Sequence, residues 1–246
     1  MKIIPLSEGS FTIDNSKLFI PFDANQDDLQ LRPVGSLLVE VQPFVLITSE
    51  DVLLLDTGLG FEKDGNLQIH QNLIKAGIRP SEVTKVLVSH LHKDHAGGIS
   101  RMDNSTGSYE LAFPQARYYL QKSELEAAYQ KGLPSYFTNQ LDCLIESPRV
   151  VLLNGNGVLN GYIKYEVSGG HSPFHQVFWV VDGGEKVFFG ADVAPQLSQM
   201  KRRFVAKYDS DGNRSMELRQ QWWQKGQEEK WTFLFYHDIA TPVWRF

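Results

Sequence analysis

The chain has 246 residues, of which 42% are hydrophobic and 22% charged, a composition typical of a folded globular protein. Its formal net charge of -5 argues against a nucleic-acid or anionic-membrane partner, and its apolar runs are too short to cross a bilayer. The first residues lack the apolar segment of a signal peptide. We therefore expect a single domain, residues 1–246, in the cytoplasm, with no nucleic-acid or membrane partner.

Short apolar runs bounded by Gly, Pro, Asn or Asp recur along the chain and predict strands. In chain order they cover residues 36–48, 52–58, 85–90, 149–153, 163–170, 176–182, 186–192 and 232–238. The lone cysteine, Cys143, has no partner for an internal disulfide, and its neighbours indicate a helix with the thiol at or near the apolar side.

Three further helices are predicted between these strands. The first covers residues 66–77 and ends at Gly77, and the second covers 123–132 and ends at Gly132. Ser123 and Glu126 form a capping-box pattern at the start of the second helix. The third runs from about residue 215 to 230. Because the helices are distributed between strands, the pattern favours a layered α/β architecture.

Two long segments, residues 21–35 and 194–214, are predicted loops. Each is either a binding element or a solvated surface excursion. Tyr208 and Asp209 lie in the second loop and either line a pocket or face solvent. A set of aromatic residues is assigned either to an apolar pocket or to the core: Phe19, Phe22, Phe174, Phe178, Trp222 and Trp223.

Residues 86–98, VLVSHLHKDHAGG, concentrate three histidines and an aspartate at the end of a predicted strand. Alternation along an extended chain places His90 and His92 on the same side, and Asp94 and His95 follow where the chain turns into a helix. Four such groups at a strand end have no structural benefit to offset their desolvation. Imidazole and carboxylate are ligands for divalent zinc, iron or manganese, so the segment predicts a metal site.

The segment from His90 to His95 resembles the H-x-H-x-D-H signature of the metallo-β-lactamase fold superfamily. Three later residues, each at the end of an apolar run, match the remaining pattern in order: His171, Asp192 and His237. The resemblance covers nearly the whole chain. It implies a four-layer α/β/β/α sandwich of two mixed sheets, with the site at one edge.

The resemblance also implies two metal ions per chain. It assigns the first to His90, His92 and His171, the second to Asp94, His95 and His237, and gives Asp192 the bridging position.

Three other residues are assigned lesser roles. Asp56, in LLLDTGLG, matches the family's first short motif and is expected to support the site through hydrogen bonds, with a simple turn as the alternative. His175 is expected to be a supporting or structural residue rather than a ligand. His70 is predicted to be a surface histidine.

The implied reaction is hydrolysis by a hydroxide held between the two cations. Asp94 is the expected catalytic residue because it can orient that nucleophile or pass a proton. The ligands suit zinc first, with iron or manganese as alternatives. An aspartate as the bridging group argues against true β-lactamase activity, and an ester or lactone of a small molecule is the leading substrate.

Several alternatives stay open. Quorum-sensing lactonases of the superfamily carry a tyrosine soon after the bridging aspartate, whereas this chain continues Asp192-Val-Ala-Pro-Gln. The second reading is a mononuclear-iron oxidoreductase or a non-catalytic metal-binding protein, and the third is a phosphodiesterase or nuclease. The chain is either a monomer or a homodimer, the commonest oligomer.

Overall fold

A computed structural model describes residues 1–145 and 147–246. Within them the α-helices are α1 (Gln68–Lys75), α2 (Lys93–Ala96), α3 (Lys122–Lys131), α4 (Thr138–Ile145), α5 (Leu197–Met200) and α6 (Gly212–Glu228). The strands are β1 (Lys2–Pro5), β2 (Gly9–Ile13), β3 (Phe19–Pro21), β4 (Leu37–Val41), β5 (Phe44–Ile47), β6 (Val52–Leu55), β7 (Glu62–Lys63), β8 (Asn66–Leu67), β9 (Lys85–Leu87), β10 (Ser100–Asp103), β11 (Ser108–Leu111), β12 (Arg117–Gln121), β13 (Val150–Leu153), β14 (Gly157–Leu159), β15 (Ile163–Val167), β16 (Gln176–Asp182), β17 (Glu185–Phe189), β18 (Thr232–Leu234) and β19 (Val243–Arg245).

Two large sheets form the centre of the fold. Within the described residues the first has the order β1-β5-β6-β9-β12-β13 and the second the order β14-β15-β16-β17-β18-β19. Strands β6, β9, β12 and β13 are mutually parallel, while β1, β5 and β6 pair antiparallel. In the second sheet only β17 and β18 pair in parallel. Both sheets are mixed, as predicted.

Strand alternation separates the apolar side chains into layers. In β5, Phe44 and Leu46 point into a core that also contains Phe178 and Phe189 of the second sheet, so the two sheets pack face to face. Val45, between them, joins a different core on the opposite side of the first sheet.

Helices cover the outer faces of both sheets. The outer core of the first sheet contains Leu73 of α1, Leu125 of α3 and Leu141 of α4. The outer core of the second sheet contains Trp222 of α6 and Met200 of α5. The predicted α/β/β/α sandwich is therefore confirmed. No helix in the described part of the chain is long and apolar enough to span a bilayer.

The ends of the helices agree only partly with the sequence prediction. Gly77 and Gly132 follow α1 and α3 with φ of 80° and 61°, as expected for glycines after a helix. The predicted capping box of Ser123 and Glu126 is wrong. The residue before α3 is Gln121, with no capping hydrogen bond from its side chain, because strand β12 continues directly into the helix.

The prediction that His70 is a surface residue is also wrong. Its ring is half-buried and packs edge-to-face on Phe113, with ring centroids 5.0 Å apart. Burial accordingly lowers the pKa of His70. Cys143 lies in α4, as predicted, and is half-buried. The long loops contain short helical segments, Leu29–Leu31 in the first and α5 in the second.

Candidate metal centre

The metal-motif segment begins where three neighbouring strands end. Strand β9 ends at Leu87, between the parallel strands β6 and β12. An extended segment then carries His90 and His92, and α2 carries Asp94 and His95. Because carboxyl ends of parallel strands meet at one edge of a sheet, this edge collects the loops that follow them.

Small residues let a neighbouring loop pack against the end of the motif. A Cβ atom on Gly97 would lie 2.2 Å from the carbonyl oxygen of Leu59, and one on Gly60 would lie 2.1 Å from the carbonyl oxygen of Gly97. The glycines that follow His95 are thus explained by the close approach of the loop after β6.

The later residues of the predicted site follow strands of the second sheet, and two of them follow parallel strands that end at the same edge. Strands β17 and β18 are parallel, with Phe189 paired to Leu234. Asp192 and His237 each lie three residues beyond that last pair, so they reach the same edge. His171 lies in the loop between β15 and β16.

All seven predicted residues meet at this edge, in two clusters. The three-histidine group consists of His90, His92 and His171, and the Asp94 group consists of Asp94, His95 and His237. Asp192 contacts residues of both. Within each group, one potential ligand atom per residue lies within 4.8 Å of the others.

Hydrogen bonds fix which ring nitrogens of His90 and His171 face the centre. The Ser89 hydroxyl donates to Asp56 Oδ2 at 2.6 Å, so its oxygen accepts from His90 Nδ1 at 3.0 Å. His171 Nδ1 donates to Asp209 Oδ1 at 2.9 Å. An imidazole that carries its hydrogen on Nδ1 has the lone pair on its inward nitrogen, Nε2.

His92 faces both of these lone pairs. Its Nδ1 lies 3.0 Å from His90 Nε2 and 2.9 Å from His171 Nε2. A single ring hydrogen can satisfy only one of the two contacts. Three inward nitrogens at such distances are the arrangement expected around a cation, to which each would offer a lone pair.

The Asp94 group is held by equally specific contacts. His95 Nδ1 lies 2.8 Å from Asp56 Oδ2, and His237 Nδ1 donates to the carbonyl oxygen of Glu40 at 2.6 Å. Their Nε2 atoms both point inward, and each lies 3.6 Å from Asp94 Oδ2.

Asp192 lies between the two groups. Its Oδ1 is 2.9 Å from His95 Nε2 and 3.0 Å from His237 Nε2, while its Oδ2 is 3.2 Å from His171 Nε2. Oδ1 and His95 Nε2 are both buried and make no well-aligned hydrogen bond. Each carboxylate oxygen thus faces a different group, as a bridging ligand requires.

The charges of the site follow from burial and from this clustering. Burial, with the charges of neighbouring histidines, lowers the pKa of His90 and His92 well below the usual value, which keeps both rings neutral. Burial opposes protonation of His95 and His237 too, but the carboxylate of Asp192 raises the pKa of both. Burial would raise the pKa of Asp192, yet the surrounding rings lower it well below its usual value.

Five imidazoles and two carboxylates in this arrangement fit a pair of divalent cations. The rings are oriented by partners on their outer nitrogens, which is typical of metal-binding histidines.

The sequence located the central residues and singled out Asp56 and Asp209, but it did not indicate Tyr236. Asp209 lies on the second long loop and orients His171 rather than facing solvent. Tyr236 stacks on His95 at 4.0 Å between ring centroids and donates to the carbonyl oxygen of Asp94. Its position beside His237 in the apolar run could have suggested a supporting role.

Two residues lie near the centre without joining either group. The His175 ring is wholly buried 5.0 Å from that of His90, and its Nδ1 lies 2.9 Å from the Ser168 hydroxyl. The Tyr208 ring lies 6.1 Å from that of His171, and its hydroxyl accepts from Gln199 Nε2 at 3.2 Å. Burial raises the pKa of Tyr208 to about 12.

Comparison with known proteins gives matches along most of the chain. An N-acyl homoserine lactonase of Bacillus cereus is 25% identical over 174 residues, which cover 63% of this chain and 63% of the lactonase. The matched segment thus spans less than two thirds of that relative's length.

Solved structures reproduce the fold. A probable metal-dependent hydrolase from Staphylococcus aureus superposes with a TM-score of 0.78 at 22% identity, over 99% of this chain and 91% of that one. AidC, a dizinc quorum-quenching lactonase in complex with a product, gives a TM-score of 0.73 at 20% identity, over 98% and 88% of the two chains.

The family model for the metallo-beta-lactamase superfamily matches residues 38–229. This range contains every residue of the two groups except His237. The chain therefore belongs to the metallo-beta-lactamase superfamily.

Proposed function

We propose that this protein is a dinuclear metal-dependent hydrolase that acts on an ester or lactone of a small molecule. The observation that carries the proposal is the pair of buried donor groups that share Asp192, with each carboxylate oxygen facing a different group. Such a pair is the arrangement that two-metal hydrolases use.

Zinc is the proposed metal in both groups. His90, His92 and His171 would hold one ion, and Asp94, His95 and His237 the other, with Asp192 between them. Borderline-soft imidazole with carboxylate suits zinc, and AidC, with the same fold, is described as a dizinc enzyme.

Divalent cations acidify water and polarise a carbonyl oxygen, which is the chemistry that ester hydrolysis needs. Asp94 is the proposed catalytic residue: its carboxylate can accept a proton from the attacking water and later return it to the leaving alcohol. Tyr236 fixes Asp94 in place by donating to its backbone carbonyl at 2.6 Å.

The relatives support lactones as the substrate class. The Bacillus cereus relative is an N-acyl homoserine lactonase, and AidC is a quorum-quenching lactonase. A lactone has one acyl carbon under attack and a tethered alkoxide as leaving group, so two bound cations would stabilise both developing charges.

An aromatic surface cavity of about 320 Å³ is a candidate for the apolar part of the substrate. Phe11, Phe22 and Phe61 line it. Phe11 contacts Phe19 at 5.9 Å between ring centroids, and Lys93 Nζ of the metal motif lies 5.8 Å from the centroid of the Phe19 ring, so side-chain contacts connect one wall of the cavity to the metal motif. By contrast, Phe178 and Trp222 are core residues.

Zinc-loaded protein should be assayed against four substrate classes: acyl lactones, thioesters, phosphodiesters and cephalosporins. We expect turnover of lactones, abolished by His90→Ala. Activity on phosphodiesters alone would overturn the proposed substrate class. A single iron per chain, with oxidation in place of hydrolysis, would favour the oxidoreductase alternative.

The alternatives of a monomer and a homodimer are distinguished by sedimentation velocity of the metal-loaded protein.

A further inference from the structure

Glu124 is a charged residue in an unusual place. It lies in the first turn of α3 and is 1% exposed, whereas the next glutamate along the helix, Glu126, is exposed and pairs with Lys122. A carboxyl group buried to this extent costs free energy unless its oxygens are hydrogen-bonded. Burial raises the pKa of Glu124 accordingly, although its hydrogen bonds oppose the shift.

The two carboxyl oxygens of Glu124 contact two different segments. Oε1 accepts from the backbone nitrogen of Leu91 at 3.1 Å, and Oε2 accepts from the Ser172 hydroxyl at 2.9 Å. Leu91 lies between His90 and His92, and Ser172 follows His171. One carboxyl group therefore joins both segments that carry the histidines of the three-histidine group.

The Glu124 carboxyl group joins the two segments close to the place where their histidine rings approach each other. His92 Nδ1 and His171 Nε2 lie 2.9 Å apart, yet they are 79 residues apart in sequence. Tyr136 contacts both His92 and Glu124. The centroid of its ring lies 4.8 Å from that of the His92 ring, and its hydroxyl lies 3.5 Å from Glu124 Oε1. Glu124 thus contacts both segments, and Tyr136 beside them, where the rings of His92 and His171 meet.

The Asp94 group is supported by residues other than Glu124. Asp56 and the Glu40 carbonyl orient its rings, and Tyr236 holds the backbone of Asp94. In the described part of the chain, the hydrogen-bond partners of the Glu124 carboxyl are Leu91, Ser172 and Tyr136, none of which supports the Asp94 group.

We propose that Glu124 is a positioning residue that sets the metal affinity of the three-histidine group alone, by holding the His90–His92 segment against the His171 segment. The proposal rests on the two-metal part of the proposed function. It is independent of the substrate, so failure on lactones would leave it standing.

The test is zinc affinity measured by competition with a chromophoric chelator, in variants that keep one group each. His237→Ala retains the three-histidine group, and His92→Ala retains the Asp94 group. Adding Glu124→Ala to the first should weaken zinc binding by about 10- to 100-fold, the usual effect of removing a group that orients a ligand. Adding it to the second should leave the affinity unchanged.

A conservative variant separates positioning from general destabilisation. In Glu124→Gln the amide oxygen can still accept from Leu91, and the amide nitrogen can donate to the Ser172 oxygen, so affinity should be largely restored. Glu126→Gln is the matched control on the exposed face of the same helix. If Glu124→Ala fails to fold, Ser172→Ala, which removes one of the two links, decides the question through the same pair of measurements.

Equal weakening of both groups, or unchanged affinity of the three-histidine group, would overturn the proposal. The same holds if Glu124→Gln is as damaging as Glu124→Ala.

Discussion

His95 and Asp56 form a wholly buried pair in which the ring Nδ1 lies 2.8 Å from carboxylate Oδ2. Asp56 also accepts from the backbone nitrogen of Ser89 at 2.7 Å and from its hydroxyl at 2.6 Å. Its carboxylate thus orients His95 directly and His90 through Ser89, so one side chain serves a histidine in each group.

Asp56→Asn should weaken zinc binding by both groups while leaving the chain folded. Asp56 has φ of 56°, a conformation that asparagine tolerates, so the backbone is retained. The amide offers only one oxygen to three donors, and we expect about 10- to 100-fold lower affinity. Chelator competition measures the loss; wild-type affinity at both sites would show that Asp56 serves only as a turn residue.

Removing the Asp192 carboxylate, which contacts both groups, should disrupt them together. In Asp192→Ala the inward nitrogens of His95, His171 and His237 lose their common partner, so we expect less than one tightly bound ion per chain and no measurable turnover. Elemental analysis after dialysis checks the metal content. Full activity in this variant would refute the assigned mechanism.

Glu8 should make stability depend on pH. Burial raises its pKa from 4.5 to about 8, with hydrogen bonding from the Leu59 nitrogen opposing the shift. The unfolded chain ionises above about pH 4.5 while the folded chain stays protonated to about pH 8. Glu8 therefore contributes stability at low pH, and this contribution falls by about 1.4 kcal/mol per pH unit as pH rises through that window.

Glu8→Gln removes this dependence. The variant should match the wild-type protein near pH 5 and exceed it in free energy of unfolding near pH 8, as measured by urea denaturation. Glu62→Gln, which removes an exposed carboxylate on β7, is the control. Parallel stability curves for wild type and Glu8→Gln would contradict the assignment.

Gly60 and Gly65 provide a matched pair for testing the close packing of the metal motif. Their φ angles are 72° and 73°, so alanine is equally strained at both. A Cβ on Gly60 would lie 2.1 Å from the Gly97 carbonyl, whereas one on Gly65 meets nothing within 4 Å. Gly65→Ala should cost about 1–2 kcal/mol. Gly60→Ala should cost clearly more and lower zinc affinity; equal losses in thermal denaturation would argue against the packing.

Phe61→Ala tests the aromatic cavity. Phe61 is 41% exposed and lines the cavity, so its removal should not disturb the core. We expect KM for long-chain acyl lactones to rise about tenfold, because several buried methylene groups at about 0.8 kcal/mol each lose part of their apolar contact. Short-chain substrates should be nearly unaffected. An equal effect on both chain lengths would place the acyl group elsewhere.

The features that could be predicted from the sequence are those determined by a local pattern of residues. Apolar runs predicted most of the central strands but not β12, which lies between β9 and β13. The H-x-H-x-D-H segment with three later residues predicted the seven that meet at the site. The capping box at Ser123 was wrong because β12 leads straight into α3, which no local pattern indicates. The predicted exposure of His70 was wrong because Phe113, whose ring packs against it, is distant in sequence.

Apart from Asp56, which a short motif indicated, the partners of the supporting residues could not be predicted, for the same reason. Glu124 lies 33 residues from Leu91 and 48 from Ser172, and Asp209 lies 38 from His171. Each is a common residue type without a motif, and only the packing of the two sheets brings it to its partner. The catalytic role of Asp94 and the single-domain organisation remain predictions.

The most direct test of the account is the number of metal ions per chain in purified, zinc-reconstituted protein, determined by elemental analysis against protein concentration. Two buried groups that share Asp192 predict two zinc ions per chain, both retained on dialysis. One ion per chain, or none, would contradict the two-metal centre and with it the proposed hydrolase.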